Sequence, residues 1–242
     1  MNDVSLRWMG GAGFLVDTGS VIIGIDLYLS NSCMAPDGKY KRMTPAPAGP
    51  ESLKLDYLVA SHEHGDHLDT GSINKLVRAD NNALLICPAA TRAAAELAGV
   101  DRGRIVEFNR GQTFETDSFC IRAVPADHGD DSPDAIGFVL KVDGKVIYFM
   151  GDTCYRADLR QYIGGCEQVD VLLVPINGKF GNPGSREAAL YMEMFKPKIA
   201  IPCHFWLFVE HGGDPGEFLG YCEELELSTE VRVLAIGEST CI

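Results

Sequence analysis

Positive charge is what this chain has least of. Against 34 aspartates and glutamates stand 21 lysines and arginines, a formal charge of −13. With no basic surplus to neutralise phosphates, long nucleic acids are excluded as partners. No apolar run reaches the roughly 18 residues that a membrane span needs, so no membrane insertion is expected. The segment Met1-Asn2-Asp3-Val4-Ser5 lacks the charged and apolar regions of a signal peptide, and a cytoplasmic location is expected. The eight cysteines (Cys33, Cys87, Cys120, Cys154, Cys166, Cys203, Cys222 and Cys241) include no Cys-x-x-Cys pair. That argues against a disulfide framework and for free, mostly buried thiols. Histidine is also scarce, at six in 242 residues, yet half of the six sit in His62-Glu63-His64-Gly65-Asp66-His67.

The length suits a single domain spanning 1–242. Short strands are expected at 5–9, 13–17 and 21–26, then a polar, proline-bearing loop over 29–52. A loop of that length inside a domain is functional or mobile. A buried strand over 55–60 feeds directly into the histidine cluster, and a helix follows at 71–79. Beyond it the pattern predicts a strand at 84–87, an alanine-rich helix at 89–97, and strands at 104–108, 119–124, 135–142 and 145–150. Asp143-Gly144 joins the last two as a hairpin. Helices are expected at 156–163, 185–195 and 214–225, with strands at 169–174, 198–202 and 231–236. Strands dominate each half and helices come late in it, which favours two sheets packed face to face with helices outside.

If the segment from His62 is extended, alternate side chains share a face, so His62, His64 and Asp66 point one way. A bend at Gly65, which tolerates positive φ, brings His67 to the same centre. Three imidazoles and a carboxylate exceed what one catalytic ion with an open position requires, and the surplus suggests two ions. Further ligands should arrive from other strand ends. His128, Asp152 and His204 each stand as a lone polar residue just past an apolar run. Each alone reads more readily as a turn or capping residue than as a ligand. Cys154 and Cys203 adjoin two of these positions, and a thiolate there would bind zinc, although the ligand set closes without them.

The series His-x-His-x-Asp-His, Asp-His-Gly, Gly-Asp-Thr and Pro-Cys-His, in that order, resembles the metallo-β-lactamase-fold hydrolases. The resemblance covers nearly the whole chain. It implies an α/β (α+β) fold, a four-layered αββα sandwich with a dinuclear metal site. His62, His64 and His128 match the family's first-metal ligands, Asp66, His67 and His204 its second-metal ligands, and Asp152 its bridging carboxylate. A narrower likeness, to the L-ascorbate-6-phosphate lactonase subgroup, is carried by Trp8-Met9-Gly10-Gly11-Ala12-Gly13-Phe14, Gly151-Asp152-Thr153-Cys154-Tyr155, the stretch 164–178, Pro197 to His204 and Asp214-Pro215-Gly216-Glu217-Phe218. This chain is shorter than that subgroup and its loops differ. The subgroup also suggests a homo-oligomer.

Two divalent ions about 3.5–4 Å apart can share a hydroxide generated at neutral pH and hold the oxygen of the group it attacks. Zinc, manganese and iron all suit histidine and aspartate donors. The expected activity is therefore metal-dependent hydrolysis of a small ester, foremost a lactone of a sugar acid, phosphorylated or not. The alternatives are a phosphodiesterase acting on a small cyclic or phospholipid-like substrate, and a metal-binding protein without turnover. A protonated Asp66 and Tyr155 are candidates to assist the reacting oxygens. Asn177, Lys179 and His211 are candidate substrate contacts. Lys39, Lys41 and Arg42, the only local basic cluster, read either as a lid gripping phosphate or as a solvated loop.

Overall fold

The computed structural model describes residues 4–78, 83–130, 132–163 and 168–242. Its first sheet is built from β1 (Ser5–Gly10), β2 (Gly13–Asp17), β3 (Ile22–Ile25), β4 (Tyr57–Val59), β5 (Leu84–Cys87) and β6 (Ile105–Glu107). Between them stand α1 (Ile73–Leu76) and α2 (Ala89–Leu97). The second sheet holds β7 (Thr113–Glu115), β8 (Phe119–Pro125), β9 (Ile136–Val142), β10 (Lys145–Phe149), β11 (Val171–Pro175), β12 (Ile199–Cys203) and β13 (Glu230–Val231), in reverse of that order across the sheet. Helices α3 (Ser185–Phe195) and α4 (Pro215–Glu224) flank β12 in the chain, and β14 (Ser239–Cys241) returns to pair with β1.

Burial explains the layering. The pleat turns Leu6, Trp8, Phe14, Val16, Ile23 and Ile25 from the first sheet toward Ile121, Ala123, Phe138 and Leu140 of the second, and all belong to one dry core. The opposite face of the first sheet, with Leu58, Leu85 and Cys87, packs on Ile73 and Leu76 of α1 and Ala95 of α2 in a separate cluster. On the second sheet, Tyr148 meets Phe195 of α3 edge-on. This is the expected αββα sandwich. The runs β3–β6 and β10–β13 are parallel, so their carboxyl ends share one edge, where the candidate ligands leave the strands.

The structure departs from the sequence reading in a few places. Over 156–163 only Leu159–Tyr162 coils, as a short 3₁₀ turn. The Arg156 amide is held outside any helix by the Tyr191 hydroxyl, and its guanidinium closes on Asp158. The strand at 231–236 ends at Val231, because Pro202 on β12 has no N–H with which to continue the ladder. α1 is shorter than expected, and Ala79 lies outside the described residues, as do Cys166 and part of the 164–178 stretch. Two strands unpredicted from the sequence, β7 and β14, are only three residues each. Among the described residues no helix is long and apolar enough to cross a membrane.

Candidate metal centre

The segment after β4 is not extended. The amides of His67 and Leu68 both donate to the His64 carbonyl, at 2.9 and 2.8 Å, so the chain turns through helical geometry. That turn divides the cluster. His62 and His64 face one centre, whereas Asp66 and His67 face another beside it, in place of the single face expected for a strand. Gly65 is favoured for a different reason from the one anticipated. Its φ is not in the left-handed region, but a Cβ there would meet the Cys33 sulfur at 2.8 Å.

His62 Nε2 lies 2.9 Å from His64 Nδ1, and His128 Nε2, brought in past β8, lies 3.1 Å from the same nitrogen. Tetrahedral zinc with bonds of 2.0–2.1 Å has ligand-to-ligand edges of about 3.3 Å, so these three nitrogens are spaced to hold one ion. In the second group, His67 Nε2 and His204 Nε2 are 3.0 Å apart. Asp66 Oδ2 stands 3.8 and 3.4 Å from those two nitrogens. Asp152, past β10, spans both groups. Its Oδ1 faces His67 Nε2 at 3.4 Å and His204 Nε2 at 3.3 Å, while its Oδ2 faces His128 Nε2 at 3.6 Å. Asp152 Oδ1 is buried without a hydrogen-bond donor among the described residues. A buried carboxylate oxygen in that condition is costly unless a cation meets it, and the donor set fits divalent metal.

Asp26, which the sequence reading passed over, belongs to the centre. Its Oδ2 is 2.6 Å from His67 Nδ1, and its Oδ1 accepts from the Ser61 amide at 2.7 Å. The signal was present, since Asp26 is a carboxylate closing the apolar run of β3, the signature shared by the other ligands. His211 also enters. Its ring stacks on His204 with centroids 4.7 Å apart, and its Nε2 lies 3.7 Å from Asp66 Oδ2. Gly212 and Gly213 make this approach feasible, for a Cβ on Gly212 would strike the Asn177 carbonyl oxygen at 2.3 Å.

The remaining candidates lie elsewhere. Tyr155 packs against Tyr191, 5.0 Å between centroids, and is not among the cavity-lining residues. Asn177 is buried, is not among the cavity-lining residues, and gives its amide to the Lys179 carbonyl. Lys179 is exposed and runs along Gly212. Neither Cys154 nor Cys203 belongs to a donor group among the described residues. Arg42 is no phosphate grip. It is buried, gives Nη1 to the Tyr28 carbonyl and Nε to the Thr44 carbonyl, and bridges to Phe208.

Charge within the centre is balanced internally. Burial alone would raise Asp66 and Asp152, but His67 and His204 hold both below the usual carboxylate range. Burial likewise pushes His67 and His204 down, yet Asp152 and Asp66, with Asp26 beside His67, carry both above the ordinary imidazole value. His62, shut away and next to His67, is pushed well down. Burial, then His204, takes His211 down to about 3. Burial thus disfavours a proton on His62 and His128, while the second group holds proton-sharing pairs whose protons divalent cations would displace.

Comparison with known proteins agrees with this centre. Residues 15–205 match the family described as a beta-lactamase superfamily domain. The chain is 34% identical to a UPF0173 metal-dependent hydrolase of Archaeoglobus fulgidus over 98% of each chain. It is also 34% identical to the Pyrococcus abyssi hydrolase of the same group, over 89% of this chain and 90% of that one. In structure it resembles Igni18, a metallo hydrolase from Ignicoccus hospitalis, with a TM-score of 0.77, 26% identity and coverage of 100% and 99%. With its strand-end donors aligned in that fold, the chain belongs to the beta-lactamase superfamily, among the UPF0173 metal-dependent hydrolases.

Proposed function

We propose that this metal-dependent hydrolase opens a small carboxylic ester, foremost a lactone, on two divalent ions. The observation that carries the reading is the position of Asp152, whose two oxygens face separate donor groups. His62, His64 and His128 would hold one ion and Asp66, His67 and His204 the other, with Asp152 between them. When bound, the pair supplies Lewis acidity and lowers the pKa of water toward neutrality.

The chain's own residues supply the rest. Asp26 fixes the His67 ring through Nδ1, so that Nε2 points into the centre. Asp66, held below the usual carboxylate range by His67 and His204, borders the cavity, where it can exchange a proton with the reacting oxygens. His211 is neutral at physiological pH and borders the same cavity, where its Nε2 can hydrogen-bond a substrate oxygen. In the overall reaction, water adds to the acyl carbon and the acyl–oxygen bond breaks. The departing alkoxide takes up a proton, giving a hydroxy acid.

The test is hydrolysis of a lactone series and of bis-p-nitrophenyl phosphate after loading with zinc or manganese, together with metal analysis. The reading expects two ions per chain and lactone turnover reduced at least a hundredfold in Asp66→Ala and His67→Ala. Turnover of the phosphodiester alone would replace it with the phosphodiesterase alternative.

A further inference from the structure

The cavity in front of the centre has a volume of about 470 Å³. One wall is aromatic. Tyr40 lies 6.4 Å from Phe180 and 5.9 Å from Phe208 between ring centroids, and Phe208 meets His211 at 4.8 Å. Smaller, weakly polar residues, Ser32, Cys33 and Thr70, complete the lining, with Cys33 packed beside Tyr40 against the Phe208 cluster. Phe180 is the informative member. It is 54% exposed and sits at φ 56°, a left-handed conformation unusual for a bulky side chain. Tyr40 is left-handed as well, at φ 55°. Two aromatic rings are held at a ligand cavity by strained backbone, and one of them, Phe180, stays largely open to water although it touches Tyr40 and His211.

Equally informative is the lack of cations. Among the described residues lining the cavity none is lysine or arginine, and none of the residues outside the description is either. Of the basic groups nearby, Lys41 and Lys179 are exposed and are not among the cavity-lining residues, and two others are already engaged. Arg42 is buried on backbone carbonyls, and Lys39 pairs with Asp37. A separate groove behind His128 contains Arg110 and Arg156. Arg110 is tied to the Ala135 and Ala126 carbonyls, and Arg156 to both oxygens of Asp158. A phosphorylated substrate would find no counter-charge in the cavity apart from the metal ions, within a protein of net charge −13.

From these two observations we infer that the substrate is uncharged and carries an aromatic or branched apolar group next to the bond that is cut, seated on Phe180, Tyr40 and Phe208. The inference rests on the ester-hydrolase reading for its reaction, but not for its shape or polarity. It sets aside the phosphorylated sugar lactone considered from sequence. The group at the mouth is read by stacking and burial, while the acyl group lies over Asp66 and Asp152.

The experiment has a turnover arm and a binding arm on the metal-loaded protein. Turnover compares kcat/KM for dihydrocoumarin, glucono-δ-lactone and its 6-phosphate. The expected order puts dihydrocoumarin at least about tenfold above both sugar lactones, with that ratio collapsing toward one in Phe180→Ala. The binding arm measures 3-phenylpropionohydroxamate against acetohydroxamate by calorimetry, since both present the same metal-binding head. The phenyl compound should bind about tenfold or more tightly, chiefly because of Phe180 and Tyr40, and Phe180→Ala should remove most of the gain. Lys179→Gln should change neither arm. Phenyl-selective binding without turnover of any ester would uphold the cavity inference and sink the reaction. Turnover that favours the 6-phosphate, a loss of activity in Lys179→Gln, or equal binding of the two hydroxamates would overturn the inference and leave the hydrolase reading standing.

Discussion

Asp26 Oδ2 lies 2.6 Å from His67 Nδ1, with both side chains fully buried. The carboxylate therefore sets the ring's tautomer and aims Nε2 at Asp66 and Asp152. Outer partners of this kind typically contribute 10–100-fold in metal affinity.

Asp26→Asn should accordingly weaken binding of one ion by about 10–100-fold while leaving the ion at His62, His64 and His128 in place. Equilibrium dialysis with elemental analysis distinguishes the two sites. Equal loss of both ions, or of neither, would contradict the assignment. The asparagine keeps an acceptor for the buried Ser61 amide, so the fold is spared the cost of about 1–3 kcal/mol that an alanine would impose.

Metal uptake should release protons. His67 and His204 are raised above the ordinary imidazole value by their carboxylate neighbours, and a metal can bind only their deprotonated rings. The sign follows directly: as pH falls, protons compete better and affinity drops; as pH rises through the raised values, affinity climbs to a plateau. Calorimetric titration in two buffers of different ionisation enthalpy reads the released protons. Identical heats in both would rule the coupling out.

Gly65→Ala brings a methyl group to within 2.8 Å of the Cys33 sulfur. The expected loss is about 1–3 kcal/mol, the usual cost of overpacking. In the double variant with Cys33→Ala much of that loss should return, because the clash is pairwise. Additive urea midpoints across the cycle would show that the glycine serves some other end.

Tyr148 is fully buried, and its hydroxyl has no hydrogen-bond partner among the described residues. Removing that hydroxyl as Tyr148→Phe should therefore raise stability by about 1 kcal/mol while keeping the ring packed on Phe195. A lower thermal midpoint in the phenylalanine variant would mean that the hydroxyl is satisfied in solution.

The candidate ligands that gather at the centre could be picked out because each follows an apolar run. His128, Asp152 and His204 could be read from where β8, β10 and β12 had to stop. The helices at 89–97 and 185–195 and the hairpin at Asp143-Gly144 were legible for similar reasons, as periodicity and turn chemistry are local. Asp26 closes an apolar run as the others do, but it escaped because its partner is 41 positions away and no histidine motif adjoins it. The division of the histidine cluster between two centres escaped because it depends on hydrogen bonds to the His64 carbonyl that an alternating pattern does not foretell. Arg42 looked like surface charge, and only the contact with Tyr28 and Phe208 shows it to be a buried strut. The aromatic wall joins residues from three loops, and no single segment announces it.

The edge strand β14 pairs Cys241 with Ser5. During synthesis the outer edge of β1 therefore has no partner until nearly the last described residue has left the ribosome. Through that interval it presents free amides and carbonyls to any other nascent chain. A pairing so distant in sequence is also late to form. The yield of properly assembled protein should thus depend on the final strand as much as on the metal loop, although the two lie at opposite ends of the sheet's logic: one completes the scaffold, and the other uses it.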